Sequence, residues 1–224
     1  NVTGGNSVQD NWDWSVDLNG HGTHIAGTIA ALRNNGRGVV GAGDIPLHIT
    51  RGLDDQSKGF ESNLIDAIEQ CIAAGAKIIN VSLGGNQMSE ASRKFYSRAV
   101  REIGVMIVAA AGNQGRRIHQ YPASHPDVIS VAAVYSWGRY WDGSSYSDQV
   151  ELAAPGHKIL STTTTFAAIS VGTNFSYTAI QVAGTRSLNQ RGVLRDCGSG
   201  NYVCSKPDST GTNAARRRDD DDDG

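Results

Sequence analysis

No apolar run in this 224-residue chain approaches the roughly 18 residues that a membrane-crossing helix needs, and no stretch reads as a signal peptide. An excess of one charge is missing too. The formal charge is -2 with 19% charged residues, which leaves no electrostatic case for nucleic acid or a membrane surface as partner. Cysteine is scarce, at three residues. Cys71 falls on the apolar side of the helical pattern Leu64–Ile72 and reads as a small core residue. Cys197 and Cys204 stand seven apart in a polar, Gly-rich stretch and could close a small loop, but three cysteines fix no compartment.

Two cofactor patterns fall short. His21-Gly-Thr-His24 sets two imidazoles three apart, whereas the zinc motif His-Glu-x-x-His needs four and a glutamate. Gly36-Arg-Gly-Val-Val-Gly41 spells a dinucleotide fingerprint, yet it follows a helical segment rather than a strand and reads as a turn.

What the chain has in quantity is glycine, 27 residues, which points to tight turns and close backbone contacts. The richest stretch is Asn19-Gly-His-Gly-Thr-His-Ile-Ala-Gly-Thr-Ile-Ala-Ala-Leu32. Its small residues leave the His21 imidazole uncovered at a helix entrance, while Ile25, Ile29 and Leu32 recur at helical spacing and are expected to anchor that helix. An exposed imidazole on a rigid helix end suits general acid/base work; His24, one turn on, reads as a satisfied structural residue.

From about residue 20 to 160 short apolar runs alternate with helical patterns. Strands are expected at 46–50, 76–82, 105–111 and 128–134, and helices at 63–74 and from the Ser89 cap to about Ile103. Apolar runs of this kind, separated by helices, predict a doubly wound α/β fold whose mostly parallel sheet is covered by helices on both faces. Working loops then lie at the carboxyl ends of the strands, where Ser82-Leu-Gly-Gly85, Gly112-Asn-Gln-Gly115 and Ala153-Ala-Pro-Gly156 stand.

These motifs, in this order, resemble the subtilisin-like serine proteases over roughly residues 1 to 162. His21-Gly-Thr-His-Ile-Ala-Gly-Thr is similar to the family's histidine motif, and Asn80-Val-Ser-Leu-Gly-Gly85 to the strand lining its first specificity pocket. Val108-Ala-Ala-Ala-Gly-Asn-Gln-Gly115 resembles the segment with the oxyanion-hole asparagine; Tyr121–Val134 and Leu152-Ala-Ala-Pro-Gly156 match as well. The resemblance implies His21 as general base and Asn113 as oxyanion donor. It further implies Ser82, Leu83 and Gly84 facing Lys58, Gly59 and Phe60 as the edges that bind an extended peptide of broad sequence. It also implies a peptide or protein substrate, a monomeric extracellular enzyme and no nucleic-acid or membrane partner.

The resemblance breaks in three places. The family's aspartate lies upstream of its histidine on a central strand, but no Asp-Thr-Gly or Asp-Ser-Gly precedes His21, and Asp10, Asp13 and Asp17 read as loop carboxylates. The subtilisin-like fold is therefore expected with its N-terminal strand missing, and the isolated chain is expected to fold poorly. In Gly172-Thr-Asn-Phe-Ser-Tyr-Thr-Ala-Ile-Gln-Val-Ala-Gly184, counting back from Val182-Ala-Gly184 puts Ser176 at the nucleophile, whereas counting from Gly172-Thr173 puts Asn174 there. Ser176 is preferred because the helix packs at a fixed distance from its start. A loop comparable to 32–41 carries calcium in some members; Asn34 and Asn35 could ligate, but Arg33 and Arg37 oppose a cation, so no cofactor is expected. Residues 1–190 thus read as an N-terminally truncated peptidase domain, and 191–224, ending in Arg216-Arg-Arg-Asp-Asp-Asp-Asp-Asp-Gly224, as a divergent, disordered tail. The rivals are a pseudoprotease that only binds peptides and a nucleotide-binding domain using Gly36–Gly41.

Overall fold

A computed structural model describes residues 2–8, 13–36 and 38–164, together with the backbone of two short segments, 202–204 and 215–217. The chain runs β1 (Val2–Asn6), α1 (His21–Ala30), β2 (Leu47–Arg51), α2 (Glu61–Ala73), β3 (Ile78–Val81) and α3 (Glu90–Arg98). A π-helical turn (Ala99–Ile103) leads to β4 (Met106–Ala110), β5 (Ile129–Val134) and β6 (Val150–Pro155). Beyond these, Tyr202–Cys204 and Ala215–Arg217 pair antiparallel; otherwise the expected tail and the 197–204 disulfide lie outside the described residues.

All pairings among β1–β6 are parallel, but they form two sheets: β1-β2 and β3-β4-β5-β6. Helices lie on both faces of the β1-β2 sheet, while among the described residues α2 and α3 cover one face of the larger sheet. Leu47 and Ile49 pack with Ile25, Ala26 and Ile29 of α1. On the opposite face Thr50 Oγ1 meets the Cys71 sulfur of α2 at 3.2 Å. Cys71 is indeed a core residue, and its burial raises the thiol pKa. α2 and α3 together cover β3 and β4 through Ile68, Phe95, Tyr96, Ile79 and Ile107. Burial is most complete in β5, whose four central residues are buried, and least in the edge strand β6, where Leu152 is exposed.

Local signals explain the helix starts. Ser89 Oγ accepts the Ser92 amide at 3.1 Å, the expected cap of α3. At α2, Asn63 Oδ1 accepts the Phe60 amide at 3.0 Å while its Nδ2 reaches Ser7 O on the other side, at 2.6 Å. One helix expectation fails: α1 ends at Ala30, and Leu32 is 66% exposed rather than an anchor. The chain has already turned there, with the Gly41 amide closing onto Ala31 O at 2.9 Å. Gly36 and Gly38, both left-handed, sit in that turn after the helix, so the fingerprint lacks the strand before it that a dinucleotide site needs. Among the described residues no helix is long and apolar enough to cross a membrane.

Candidate active site

His21 is the first residue of α1, and its placement depends on two neighbours. Gly20 takes φ 91°, a left-handed conformation that side chains rarely adopt. Asp17 then supplies the cap that no side chain at position 20 provides. Its Oδ1 accepts the Gly20 amide at 2.8 Å, and its Oδ2 accepts the Thr23 amide at 3.0 Å and the Thr23 hydroxyl at 2.7 Å. The negative carboxylate also complements the positive helix end. The sequence reading took Asp17 for an ordinary loop carboxylate. The signal that would have found it is a short polar side chain just ahead of a glycine-led helix with Thr at its third position.

The His21 ring, half-buried, points across to the carboxyl end of β3, where Nε2 lies 3.1 Å from Ser82 O. A carbonyl only accepts, so Nε2 carries the hydrogen in this contact. A base serving a serine hydroxyl through Nε2 needs the other tautomer. His24 behaves as the structural residue expected: its Nε2–H donates to Ile159 O at 3.1 Å, and its pKa is drawn down to about 4. Burial dominates that shift, the Ile159 bond opposes it, and the nearby His21 adds a smaller lowering.

Asn113 stands past the end of β4, the strand paired with β3 in a register that sets Val81 beside Ala109. His21 and Asn113 therefore work from neighbouring strand ends. Gly112, at φ 106°, makes the turn that presents Asn113, and any Cβ there would strike the Gln120 side chain. The loop is held from the β5–β6 side, with Ser145 N–H donating to Gly112 O and Gln114 N–H to Ser145 Oγ. Asn113 itself is exposed.

The two expected peptide-binding edges differ. Ser82-Leu83-Gly84 continues β3 and is anchored beyond by a paired bridge between Gly85 and Tyr121, with N···O distances of 2.9 and 2.8 Å. On the other edge Lys58 has both main-chain groups engaged, its amide on Asp54 Oδ1 and its carbonyl on the Asp54 amide, each at 2.8 Å. The Phe60 amide is used by Asn63, so only Gly59 is left to offer main-chain bonds to a substrate, although Phe60 offers an 81% exposed ring. Asn19 Nδ2 ties this loop to the α1 entrance through Asp55 O and Ser57 Oγ.

Ser176 and its rival Asn174 lie outside the described residues, as does Asp10. Asp13 caps its own turn, accepting the Ser15 amide at 2.9 Å. Among the described residues no three or more His, Cys, Asp or Glu side chains gather as a metal site. The loop around the exposed Asn34 and Asn35 supplies no carboxylate. A residue that sequence reasoning passed over is Asn80: 7% exposed, with Nδ2 on Ser82 Oγ at 3.0 Å and Oδ1 buried without a partner.

The model of the subtilase family matches residues 1–191. Subtilisin DY of Bacillus licheniformis is 35% identical over 219 residues, covering 95% of this chain and 77% of that protein. Thermitase of Thermoactinomyces vulgaris is 34% identical over 221 residues, covering 97% and 78%. The crystal structure of the psychrophilic subtilisin-like protease Apa1 from the Antarctic psychrotroph Pseudoalteromonas sp. AS-11 superposes with a TM-score of 0.66 at 42% identity. It covers 72% of this chain, which spans 38% of that one.

Proposed function

The chain belongs to the subtilase family, and from that premise we propose that it is a serine endopeptidase acting on extended peptides through an acyl-enzyme intermediate. The observation that carries this reading is the His21 imidazole. It is fixed by Gly20 and Asp17 at a helix entrance and reaches the end of β3, one strand from the Asn113 loop. In this reading the Ser176 hydroxyl attacks the scissile carbonyl as His21 takes its proton. The Asn113 side chain then donates to the oxygen on which negative charge develops. His21 returns the proton to the leaving amine, and water releases the acyl group by the same steps in reverse. Ser82–Gly84 and Gly59 would hold the substrate main chain, which keeps specificity broad.

The tautomer sets a condition. With Nε2 3.1 Å from Ser82 O, the ring is a base at Nε2 when the hydrogen sits on Nδ1, the tautomer that the family's orienting carboxylate favours. Without it turnover is expected to fall by about 10⁴, the loss produced by the analogous change in another serine protease. Action outside the cell, as a monomer and without a cofactor, is part of the same reading and follows from the family likeness.

A fluorophosphonate probe tests the proposal. Labelling of the chain that disappears in Ser176→Ala is the expected result; undiminished labelling in that variant refutes Ser176 as nucleophile. Retained affinity for a peptide inhibitor with no labelling at all would make the chain a peptide-binding relative instead.

A further inference from the structure

Four aromatic rings gather just past the ends of β5 and β6, away from the groups that the proposed chemistry uses. Tyr135 and Trp137 stack face to face, with 4.5 Å between centroids and 5° between planes. The His157 ring meets Tyr135 edge-on at 4.9 Å and lies 5.9 Å from Trp141. A closed turn fixes the stack. The Tyr135 amide donates to Arg139 O at 2.7 Å and the Gly138 amide to Tyr135 O at 2.9 Å, with Gly138 left-handed at φ 84°. Below it, the Trp141 amide donates to Ala133 O and the Gly156 amide to Val134 O, each at 3.0 Å. Gly143 leaves room for the Trp141 indole, which a Cβ there would strike. Tyr135 covers one face of the Trp137 indole; the other is open, and the residue is 70% exposed. A lone exposed aromatic is ordinary. A ring held face-on to solvent by a second ring and a closed turn is a prepared surface, because little freedom is left to lose on binding.

The surroundings of the stack select its ligand. Residues 133–141 and 152–160 contain no carboxylate, while Arg139 and Lys158 are exposed beside the rings in the chain, which disfavours a cationic guest. A proline-rich helix docks into grooves between rings, and the stacked Tyr135 and Trp137 leave none between them. What the rings offer is a flat apolar face with polar atoms at its rim: Trp137 Nε1, Tyr135 Oη and the two His157 nitrogens. Among the described residues none of these atoms has a hydrogen-bond partner. Burial lowers the His157 pKa and the Lys158 charge lowers it further, so near pH 7 the ring is neutral and presents one donor and one acceptor. A pyranose has the complementary design, with C–H groups on its faces and hydroxyls around its edge. We propose that Trp137, backed by Tyr135 and flanked by His157, stacks on a glucose-type pyranose of a β-linked glycan. Equatorial substituents leave both faces of such a ring flat. Because β5 pairs with β4 in parallel, the glycan is held at the same end of the sheet as the Asn113 loop. The platform stands independently of the protease reading; combined with it, the platform anchors the enzyme on polysaccharide while the cleft takes peptide.

The test uses the 224-residue chain and cellohexaose, a β-linked glucose oligomer. Calorimetry should show saturable binding with a Kd of about 1 mM or tighter. Trp137→Ala should weaken it by roughly 10-fold or more, and His157→Ala by a smaller factor. A measurement on the unaltered chain avoids any folding defect in these variants. Oxidation of Trp137 by N-bromosuccinimide, read by peptide mass spectrometry, should slow in proportion to site occupancy, while oxidation of Trp14 should not change. Sorbitol, which carries hydroxyls but no ring, should neither bind nor protect. Binding of hexaproline in place of cellohexaose would make the stack a peptide site and overturn the proposal. Absence of saturable cellohexaose binding overturns it too, as does binding that leaves Trp137 oxidation unslowed. Fluorophosphonate labelling reads the protease separately. Glycan binding without labelling upholds the platform and defeats the protease reading; labelling without glycan binding does the reverse.

Discussion

The two sheets and their helices are built alike and differ in the size of the buried cluster each carries. In the β3–β6 half four strands lie under α2 and α3, and among the described residues twelve buried ones form one cluster around Ile79, Ile107 and Tyr96. In the β1–β2 half two strands rest on α1, and the buried cluster among the described residues is five, Ile25, Ala26, Ile29, Leu47 and Ile49. The candidate chemistry straddles them, with His21 on the smaller half and Asn113 on the larger. Whatever sets the join between halves therefore sets the distance between base and oxyanion donor. Since β2 and β3 do not pair, α2 and loop contacts such as Asn63 on Ser7 connect the two.

The sharpest way to break the comparison is to cut equal holes in both halves. Ile107 and Ile49 are 1% and 0% exposed, so each change to alanine falls in the range of about 2–5 kcal/mol. Ile107→Ala should lie at the upper end, because its surroundings are closed. Ile49→Ala should lie at the lower end, because the smaller cluster around it can relax. Urea melts of the two variants decide this, and equal losses would mean that the halves are equally packed.

Asn113→Ala addresses the chemistry of the larger half alone. Turnover should drop about 10²–10³-fold, a magnitude that comes from a member of this same family. Because the side chain is exposed, the melting free energy should move by less than about 0.5 kcal/mol. A similar loss in both measurements would make Asn113 structural.

The smaller half should also carry an acid weakness. His24 titrates near 6.5 when unfolded and near 4 when folded, so between those values the unfolded chain binds the extra proton. Stability from this group is complete above about pH 6.5 and is lost as pH falls towards 4, by at most about 3 kcal/mol. His24→Gln, which keeps a donor for Ile159 O, should flatten that slope in urea melts at pH 7 and pH 4. The least effect is expected from Ser89→Ala at the α3 cap, about 1 kcal/mol by thermal melting, with activity unchanged.

Much of this was legible in the residues because the signals are local. The spacing of Ile25 and Ile29 marks α1, Ser89 marks the start of α3, and the apolar runs at 105–111 and 128–134 are β4 and β5 within a residue or two at each end. Leu32 misled because periodicity says nothing of the turn that Gly41 closes. Asp17 was missed because a cap three residues outside the usual position has no fixed spacing to read.

The sequence by itself determined the order of strands and helices and the position of an imidazole at a helix mouth, since both depend on neighbours within a turn or two. Only the tertiary structure decided which nitrogen of His21 faces Ser82 O, that the buried Asn80 Oδ1 has no donor among the described residues, and where the strands divide into two sheets. Those depend on groups brought together from distant parts of the chain, as with His21 and Ser82, 61 residues apart. No local pattern specifies contacts of that range.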